Sequence, residues 1–177
     1  MKAFVFSIGE KTTDLCVELM KSYGFEVILY QDQTSLWEKL KRFYTEALET
    51  DDSHFVRIDA DVIPLTNPIK MHNYYGWTCA SGFDWYKLND GAISIHKIDR
   101  NIIGLCLDKI ELAKNQNRPE SYLWRLPEVN KYTEVEETRV WGIHGYGQTD
   151  QRDRIKKLKA SRDQKYDWEL VEKIEAL

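Results

Sequence analysis

The stretch HFVRIDADVIP, residues 54 to 64, decides the fold and raises the question of function. Its apolar, partly β-branched run from Phe55 to Ile58 predicts a buried strand. Two aspartates, Asp59 and Asp61, follow that strand with one residue between them. Side chains at positions i and i+2 of an extended chain point the same way, and two unpaired carboxylates so close repel each other. A cation bound between them would remove this repulsion.

The sequence before this stretch predicts two β-α units. Residues 3 to 8 (AFVFSI) and 25 to 30 (FEVILY) are strand-like, and each precedes a segment with apolar residues at helical spacing. Ser35 and Glu38 form a capping box at the start of the second helical segment. A β-α-β-α-β order with short connections predicts parallel strands joined by right-handed crossovers. We therefore predict a single α/β domain of Rossmann type, with a mixed, mainly parallel sheet flanked by helices.

The pattern changes in the second half of the chain. Residues 76 to 97 contain two strand-like runs around an Asp-rich turn, which favours antiparallel pairing. A helix is predicted from about Asn101 to Asn115, followed by an irregular stretch with Pro119 and Pro127. Residues 138 to 143 (TRVWGI) predict a last strand, and two helical segments close the chain.

Composition excludes several classes of protein. With 177 residues, 42% hydrophobic and 31% charged, the chain suits one ordinary globular domain. A net charge of -4 argues against nucleic-acid binding by bulk electrostatics, because that mode needs a basic surface. The basic segment from Arg152 to Arg162 is expected to be a solvated helix face.

The cysteines and the N-terminus predict the compartment. Cys16, Cys79 and Cys106 are odd in number and lack a CxxC pairing, so we expect buried thiols rather than disulfides or a zinc site. The apolar run before Gly9 is too short for a signal peptide or a membrane span. We therefore predict a cytoplasmic protein without a membrane span.

Polar residues follow all three predicted parallel strands, at 7 to 10, 31 to 33 and 59 to 61. Ligands of such sheets bind beyond the carboxyl ends of the strands. Carboxylates suit Mg²⁺ or Mn²⁺, and an imidazole among the ligands favours Mn²⁺. His144 could supply it, from a loop with glycines at 142, 145 and 147. Loop capping or surface ion pairs for the aspartates, and a structural role for His144, stay open as alternatives.

FVRIDADVIP at the end of a third strand resembles the DxD motif of GT-A glycosyltransferases. LNDGAISIH (88 to 96) resembles the fNxGv segment of the glycogenin-like branch of that fold, and HGYGQ (144 to 148) is similar to its late His-Gly metal-binding loop. The three motifs occur in the family's order. The resemblance covers roughly residues 3 to 150.

The resemblance implies a metal-dependent enzyme that moves a sugar from a nucleotide-diphosphate sugar to an acceptor. It implies a nucleotide-binding half at 1–75, an acceptor and metal half at 76–150 and C-terminal helices at 151–177. The implied ligands of Mn²⁺ or Mg²⁺ are Asp59, Asp61 and His144. The implied contacts to the donor are Ser7, Glu10, Asp32, Arg57, Asp59, Gly145 and Gln148. Turn, cap and ion-pair roles remain alternatives for Ser7, Glu10, Asp32 and Arg57.

The sequence departs from the family after Gly147. The glycogenin-like loop continues to a lysine and a tryptophan that grip the diphosphate, whereas Gln148 and Thr149 stand here. GYGQTD also resembles the GWGxED stretch of the galactosyltransferase branch, in which an acidic residue is the base of an inverting reaction. Asp150 matches that position, and Asp90 is a second candidate that either orients the acceptor or makes an Asx turn. The stereochemistry is therefore left open.

Other functions fit the sequence less well. Haloacid-dehalogenase-like phosphohydrolases carry a DxD on their first strand, whereas two β-α units precede it here. A nucleotidyltransferase would need a Gly-rich basic loop after the first strand, and SIGEKTTD (7 to 14) is a poor match. A nucleotide- or sugar-binding module without turnover stays open because of the missing lysine. The acceptor is open between a glycan, a protein and a modified base in DNA, and its site is expected to be shallow or completed by a second copy in a homo-oligomer.

Overall fold

A computed structural model describes residues 1–71, 76–85, 89–136 and 141–146 of the chain. It contains a sheet of eight strands with helices on its faces. The strands are β1 Lys2–Ser7, β2 Glu26–Gln31, β3 His54–Asp59, β4 Val62–Pro64, β5 Trp77–Asp84, β6 Asn89–Asp99, β7 Thr133–Glu136 and β8 Gly142–His144. The α-helices are α1 Thr13–Ser22, α2 Leu36–Leu48, α3 Arg100–Lys109, α4 Pro119–Trp124 and α5 Pro127–Asn130. Short 3-10 helices span Pro68–Lys70 and Ile110–Ala113.

The first half confirms the predicted β-α-β-α-β order. β1 pairs in parallel with both β2 and β3, so the carboxyl ends of these three strands lie at one edge. The capping box at the start of α2 is present, since Ser35 accepts from the Glu38 amide and Glu38 accepts from the Ser35 amide. Gly24 lies after α1 with a φ of 88°, a conformation that glycine adopts without strain.

The second half adds antiparallel strands, as the sequence predicted for residues 76 to 97. β6 pairs antiparallel with both β3 and β5, and β4 pairs antiparallel with β8. β5 also pairs in parallel with β7 and β8. The strand order is β2-β1-β3-β6-β5-β8-β4, with β7 beside β5, so the sheet is mixed and mainly parallel.

Several predicted boundaries are wrong. α3 begins at Arg100, one residue before the prediction, and ends at Lys109, where the chain tightens into a 3-10 helix. The stretch expected to be irregular holds α4, α5 and β7, and the start of each helix is a proline, a residue suited to the first helical position. β4 was not predicted. β8, at 142–144, covers the end of the predicted last strand, whose first residues lie outside the described part of the chain, as do the predicted closing helices with the basic segment.

The core lies on both faces of the sheet, because side chains alternate along each strand. Phe4 and Phe55 pack under α2 and α3, whereas Val5 and Val56 face α1. On β3 this alternation places Arg57 and Asp59 on the same face as Phe55. All three cysteines are buried and free, as predicted, and burial raises the pKa of each thiol to about 12.

Close packing between β5 and β8 depends on glycine. A Cβ atom added to Gly82 would lie 2.4 Å from the Gly142 carbonyl oxygen. The absence of a side chain at Gly82 lets β8 approach β5, and its absence at Gly142 lets β4 approach β8, since a Cβ atom there would lie 2.8 Å from the Ile63 carbonyl oxygen. Among the described residues, no helix is long and apolar enough to cross a membrane.

Candidate functional site

A cleft of about 170 Å³ lies at the carboxyl ends of β1 and β3. Asp59, at the end of β3, and Asp61, in the turn after it, both line this cleft. The remaining lining residues come from the end of β1, the β1–α1 turn, the turn before α2 and the start of α2: Phe6, Ser7, Ile8, Glu10, Thr34, Leu36 and Lys39. The structure therefore brings the two aspartates together with the polar residues that follow β1, as the sequence predicted.

His144 lies against Asp61. The antiparallel register of β4 and β8 sets Val62 opposite His144, and the Gly145 amide donates to the Asp61 carbonyl at 2.8 Å. Gly145 has a φ of 80°, which turns the chain after β8. As a result, His144 Nε2 lies 3.2 Å from Asp61 Oδ2. The hydrogen bond to Asp61 raises the pKa of His144, with burial acting in the opposite direction.

Asp84 is a third acidic residue at this position, and sequence reasoning missed it. It ends β5, and the parallel register of β5 and β8 sets it opposite His144. Its Oδ1 lies 3.6 Å from His144 Nδ1, and the residue is only 4% exposed. The sequence signal that could have identified Asp84 is its position at the end of a strand-like run, in GFDW (82 to 85). His144 thus lies between two carboxylates, with one ring nitrogen towards each.

Arg57 forms a buried ion pair with Asp59. Its guanidinium contacts the carboxylates of Asp59 and Glu120 directly and lies 4.9 Å from the centre of the Phe6 ring. Burial lowers the pKa of Arg57, but the two carboxylates more than offset this and raise it. Arg57 is 0% exposed and does not line the cleft, so its position is that of an orienting residue for Asp59. Burial raises the pKa of Asp59, and the Arg57 guanidinium opposes that shift.

Ser7 and Glu10 form a hydrogen-bonded turn at the cleft. The Ser7 hydroxyl donates to Glu10 Oε2 at 2.6 Å and lies 2.8 Å from the Thr13 hydroxyl. Glu10 Oε2 also accepts from the Ile8 amide at 2.8 Å. These bonds fix the β1–α1 turn, and both side chains remain at the cleft wall.

Asp32 points towards α2 rather than into the cleft. It accepts from the Thr34 amide and hydroxyl, which lowers the pKa of Asp32, and it forms ion pairs with Lys39 and Arg42.

Lys39 is a second residue that sequence reasoning missed. Its buried Nζ donates to the Ser7 carbonyl at 2.5 Å and to the Asp32 carbonyl at 2.8 Å. This lysine therefore ties the carboxyl ends of β1 and β2 together beside the cleft.

Three predicted residues cannot be placed by their side chains. Asp90 lies in β6 opposite Phe83, and its side chain is outside the described part of the structure. Gln148 and Asp150 lie outside the described residues altogether. The aromatic residues Trp77, Phe83 and Trp85 are buried and belong to the core.

The donor atoms present suit a hard cation with few protein ligands. Asp61 Oδ1 is enclosed and has no hydrogen-bond partner among the described residues, and Oδ2 lies beside the His144 imidazole. Asp84, next to the other ring nitrogen, matches the carboxylate that commonly orients a ligating histidine. Within the described ranges, no group of three His, Cys, Asp or Glu side chains is arranged to hold a metal ion. Mg²⁺ and Mn²⁺ sites often keep one or two protein ligands and complete the shell with water and phosphate oxygens.

Comparison with known proteins gives a likeness of structure alone. No protein-family model and no curated protein sequence matches the chain. A glycosyltransferase involved in the glycosylation of the major capsid of PBCV-1 is 12% identical, with a TM-score of 0.55 over 88% of this chain and 100% of that one. The 4-diphosphocytidyl-2C-methyl-D-erythritol synthase of Anaerococcus prevotii is 10% identical, with a TM-score of 0.51 over 84% and 90%.

A third similar structure is a Drosophila beta-1,4-galactosyltransferase 7 variant in complex with manganese, UDP-Gal and xylobiose. It is 12% identical, with a TM-score of 0.50 over 86% of this chain and 73% of that one. Identities this low carry a conclusion about the fold and none about activity. The three likenesses confirm the predicted GT-A-like fold: this chain shares the architecture of these sugar-nucleotide and nucleotidyl transferases.

Proposed function

We propose that the protein is a glycosyltransferase that uses a nucleotide-diphosphate sugar and a divalent metal ion. The observation that carries the proposal is the contact of His144 with Asp61, a residue that lines the cleft together with Asp59. Two segments distant in the chain supply a carboxylate and an imidazole at the carboxyl ends of parallel strands. Ligands of open α/β sheets bind at this edge.

The donor would lie across the ends of β1 and β3. The nucleotide would occupy the cleft between the β1–α1 turn and α2, whose walls include Ser7, Glu10 and Lys39. Lys39 is the cation in this wall, and a diphosphate near it would gain a favourable charge interaction. The glycogenin-like loop has a diphosphate-binding lysine that is missing here after Gly147. Lys39 lies in a different part of the sequence and is not its counterpart.

The metal ion would be held by Asp61 and His144, with Asp59 beside them. When bound, Mn²⁺ or Mg²⁺ acts as a Lewis acid on the diphosphate leaving group. Asp61 offers the enclosed oxygen Oδ1, which has no partner within the described part of the chain, and Asp84 keeps the His144 ring oriented. Arg57 and Glu120 hold the Asp59 carboxylate in place. Because these groups are fixed before the donor arrives, they would lower the barrier through positioning and charge stabilisation.

Asp150 and Asp90 remain the proposed catalytic carboxylates. An inverting reaction needs a base that removes the acceptor proton, and the resemblance to GWGxED assigns this role to Asp150. Asp90 would orient the acceptor from β6. Identifying the anomer formed by the wild type shows whether the reaction inverts. Replacing each aspartate by asparagine in turn shows which carboxylate the rate depends on.

The experiment is a turnover assay with a panel of UDP-, GDP- and dTDP-sugars in the presence of Mn²⁺. We expect release of the nucleoside diphosphate from one donor, and loss of this release after addition of EDTA. Asp61→Asn should reduce the rate by about 10²-fold or more, the order expected for loss of a metal ligand. Asp51→Asn, at an exposed loop position, is the matched control and should change nothing. Release of pyrophosphate with a nucleoside triphosphate would indicate a nucleotidyltransferase, and donor binding without turnover a binding module.

A further inference from the structure

A second and larger cavity, of about 360 Å³, lies over β5 and β6 beneath α4. The residues of its lining that matter here are Ser94, His96, Arg118, Glu120, Trp124 and Arg125. It is separate from the donor cleft, with which it shares no lining residue. Asp59 nevertheless stands between the two, because Ser94 and the Arg57–Glu120 pair both interact with its carboxylate.

His96 presents a hydrogen-bond donor to this cavity. The Trp77 indole N–H donates to His96 Nδ1 at 2.9 Å, which leaves the proton of the neutral ring on Nε2. Burial, together with Arg57, lowers the pKa of His96 to about 3, so the ring is neutral at physiological pH. The residue is only 7% exposed and lines the cavity. Its Nε2–H is accessible from the cavity rather than enclosed, so it can donate a hydrogen bond to an oxygen atom of a ligand.

Two arginines give the cavity a positive wall. Arg118 and Arg125 are exposed, and neither forms an ion pair within the described ranges of the chain. Glu120, the acidic residue of the lining, is already neutralised by the buried guanidinium of Arg57. Unpaired guanidinium groups beside a neutral N–H donor favour an oxyanion such as a carboxylate or a phosphate.

Trp124 adds a fixed aromatic surface. Its ring packs edge-on against the buried Trp77, with the ring centroids 5.2 Å apart, and the residue is only half-buried. An immobilised indole of this kind offers apolar area to the C–H face of a pyranose ring at little entropic cost. The lining thus combines one surface for a sugar ring with several donors for oxygen atoms.

We propose that this cavity is a binding subsite for a pyranose that carries an oxyanion substituent. If the protein is the glycosyltransferase proposed above, the bound sugar is part of the acceptor, since Asp59 separates the cavity from the donor cleft. The two arginines and the His96 N–H favour a sugar with an acidic group, wherever the donor binds.

The test is titration of the ¹⁵N-labelled protein with glucuronate, glucose 6-phosphate and glucose, followed by NMR. The three probes share one ring and differ in the acidic group. We expect at least one acidic sugar to bind about tenfold or more tightly than glucose and to shift the His96 imidazole nitrogens. A preference between the two acids identifies the oxyanion as carboxylate or phosphate. Equal affinity for all three sugars, or no binding, overturns the inference.

A double variant, Arg118→Ala with Arg125→Ala, supplies the second arm. Both residues are exposed, so folding should be retained, and the preference for the acidic sugar should be lost. Lys21→Ala, which removes an exposed charge on α1 at the other face of the sheet, is the control and should leave the titration unchanged. An acidic-sugar preference that survives the double variant contradicts the inference. Because no donor or metal is present, a negative result here leaves the turnover assay above as an independent test of the proposed function.

Discussion

The amide of Gly145 donates a hydrogen bond to the carbonyl oxygen of Asp61 at 2.8 Å. This one bond connects the loop after β8 to the turn after β3, and it sets His144 Nε2 at 3.2 Å from Asp61 Oδ2. The contact depends on the backbone at Gly145, whose φ of 80° disfavours residues with a side chain. The candidate metal ligands are therefore positioned by main-chain geometry as well as by side chains.

Gly145→Ala should weaken both the fold and the site. The positive φ costs a residue with a Cβ atom about 1–2 kcal/mol, and relief of that strain would move His144. We expect a matching loss in the free energy of unfolding, measured in urea, and weaker Mn²⁺ binding. Gly104→Ala, in α3 with nothing within 4 Å of an added Cβ, should instead be neutral or stabilise by about 0.5–1 kcal/mol. Equal effects of the two substitutions would show that the turn at Gly145 carries no strain.

Glu120→Gln should destabilise the protein by about 1–3 kcal/mol, because Arg57 is fully buried and would lose one charged partner. Urea unfolding measures this change. Glu128→Gln is the matched control, since Glu128 forms a weaker surface pair with Lys109 at 4.0 Å and should change stability by less than about 1 kcal/mol. If both variants unfolded alike, the buried guanidinium would not depend on Glu120.

Lys39→Met should lower both stability and donor affinity. The substitution leaves the carbonyls of Ser7 and Asp32 without the ammonium that binds them, at a cost of about 1–3 kcal/mol. Lys41→Met, on the same helix, removes an exposed lysine that pairs with Glu111, and it should cost less than about 1 kcal/mol. Urea unfolding and donor titration of both variants make the comparison, and unchanged stability in Lys39→Met would contradict it.

His96 should make stability depend on pH. Its pKa is lowered from the ordinary value of 6.5 to about 3, so between these values the unfolded chain binds a proton that the native protein does not. The contribution of a neutral His96 is fully present above about pH 6.5 and is lost as the pH falls towards 3. Between about pH 7 and about pH 4.5, His96→Gln should lose less stability than the wild type, by on the order of 2–3 kcal/mol. Parallel stability curves for the two proteins would exclude this role.

The first half of the fold could be predicted because its signals are local. The capping box at Ser35, Gly24 after α1 and the two strand-like runs each report on neighbouring residues, and short β-α connections leave few topologies. Asp59 and Asp61 were recognisable as candidates for the same reason, since Asp59 ends a strand of clear pattern and Asp61 lies in the turn after it. The cleft beside them follows from the parallel pairing of β1 with β3.

The parts that sequence missed depend on distant contacts. β4 and β7 are short, and each exists because a strand far along the chain pairs with it. Asp84 approaches His144 only through the register of β5 with β8, and Lys39 is buried only because two strand ends offer it carbonyl oxygens. No spacing in the sequence reports on either arrangement. The helices α4 and α5 were not predicted because each contains a proline, and these prolines start the helices rather than break them.

We propose that Asp61 and His144 together bind the metal ion that a nucleotide-sugar donor requires. Isothermal titration of the panel of nucleotide-sugars, with and without Mn²⁺, tests it most directly in wild-type protein and in Asp61→Asn and His144→Ala. We expect one donor to bind only with Mn²⁺, and each substitution to weaken this binding by about tenfold or more. Donor binding that is equally tight without Mn²⁺, or unaffected by both substitutions, would contradict it.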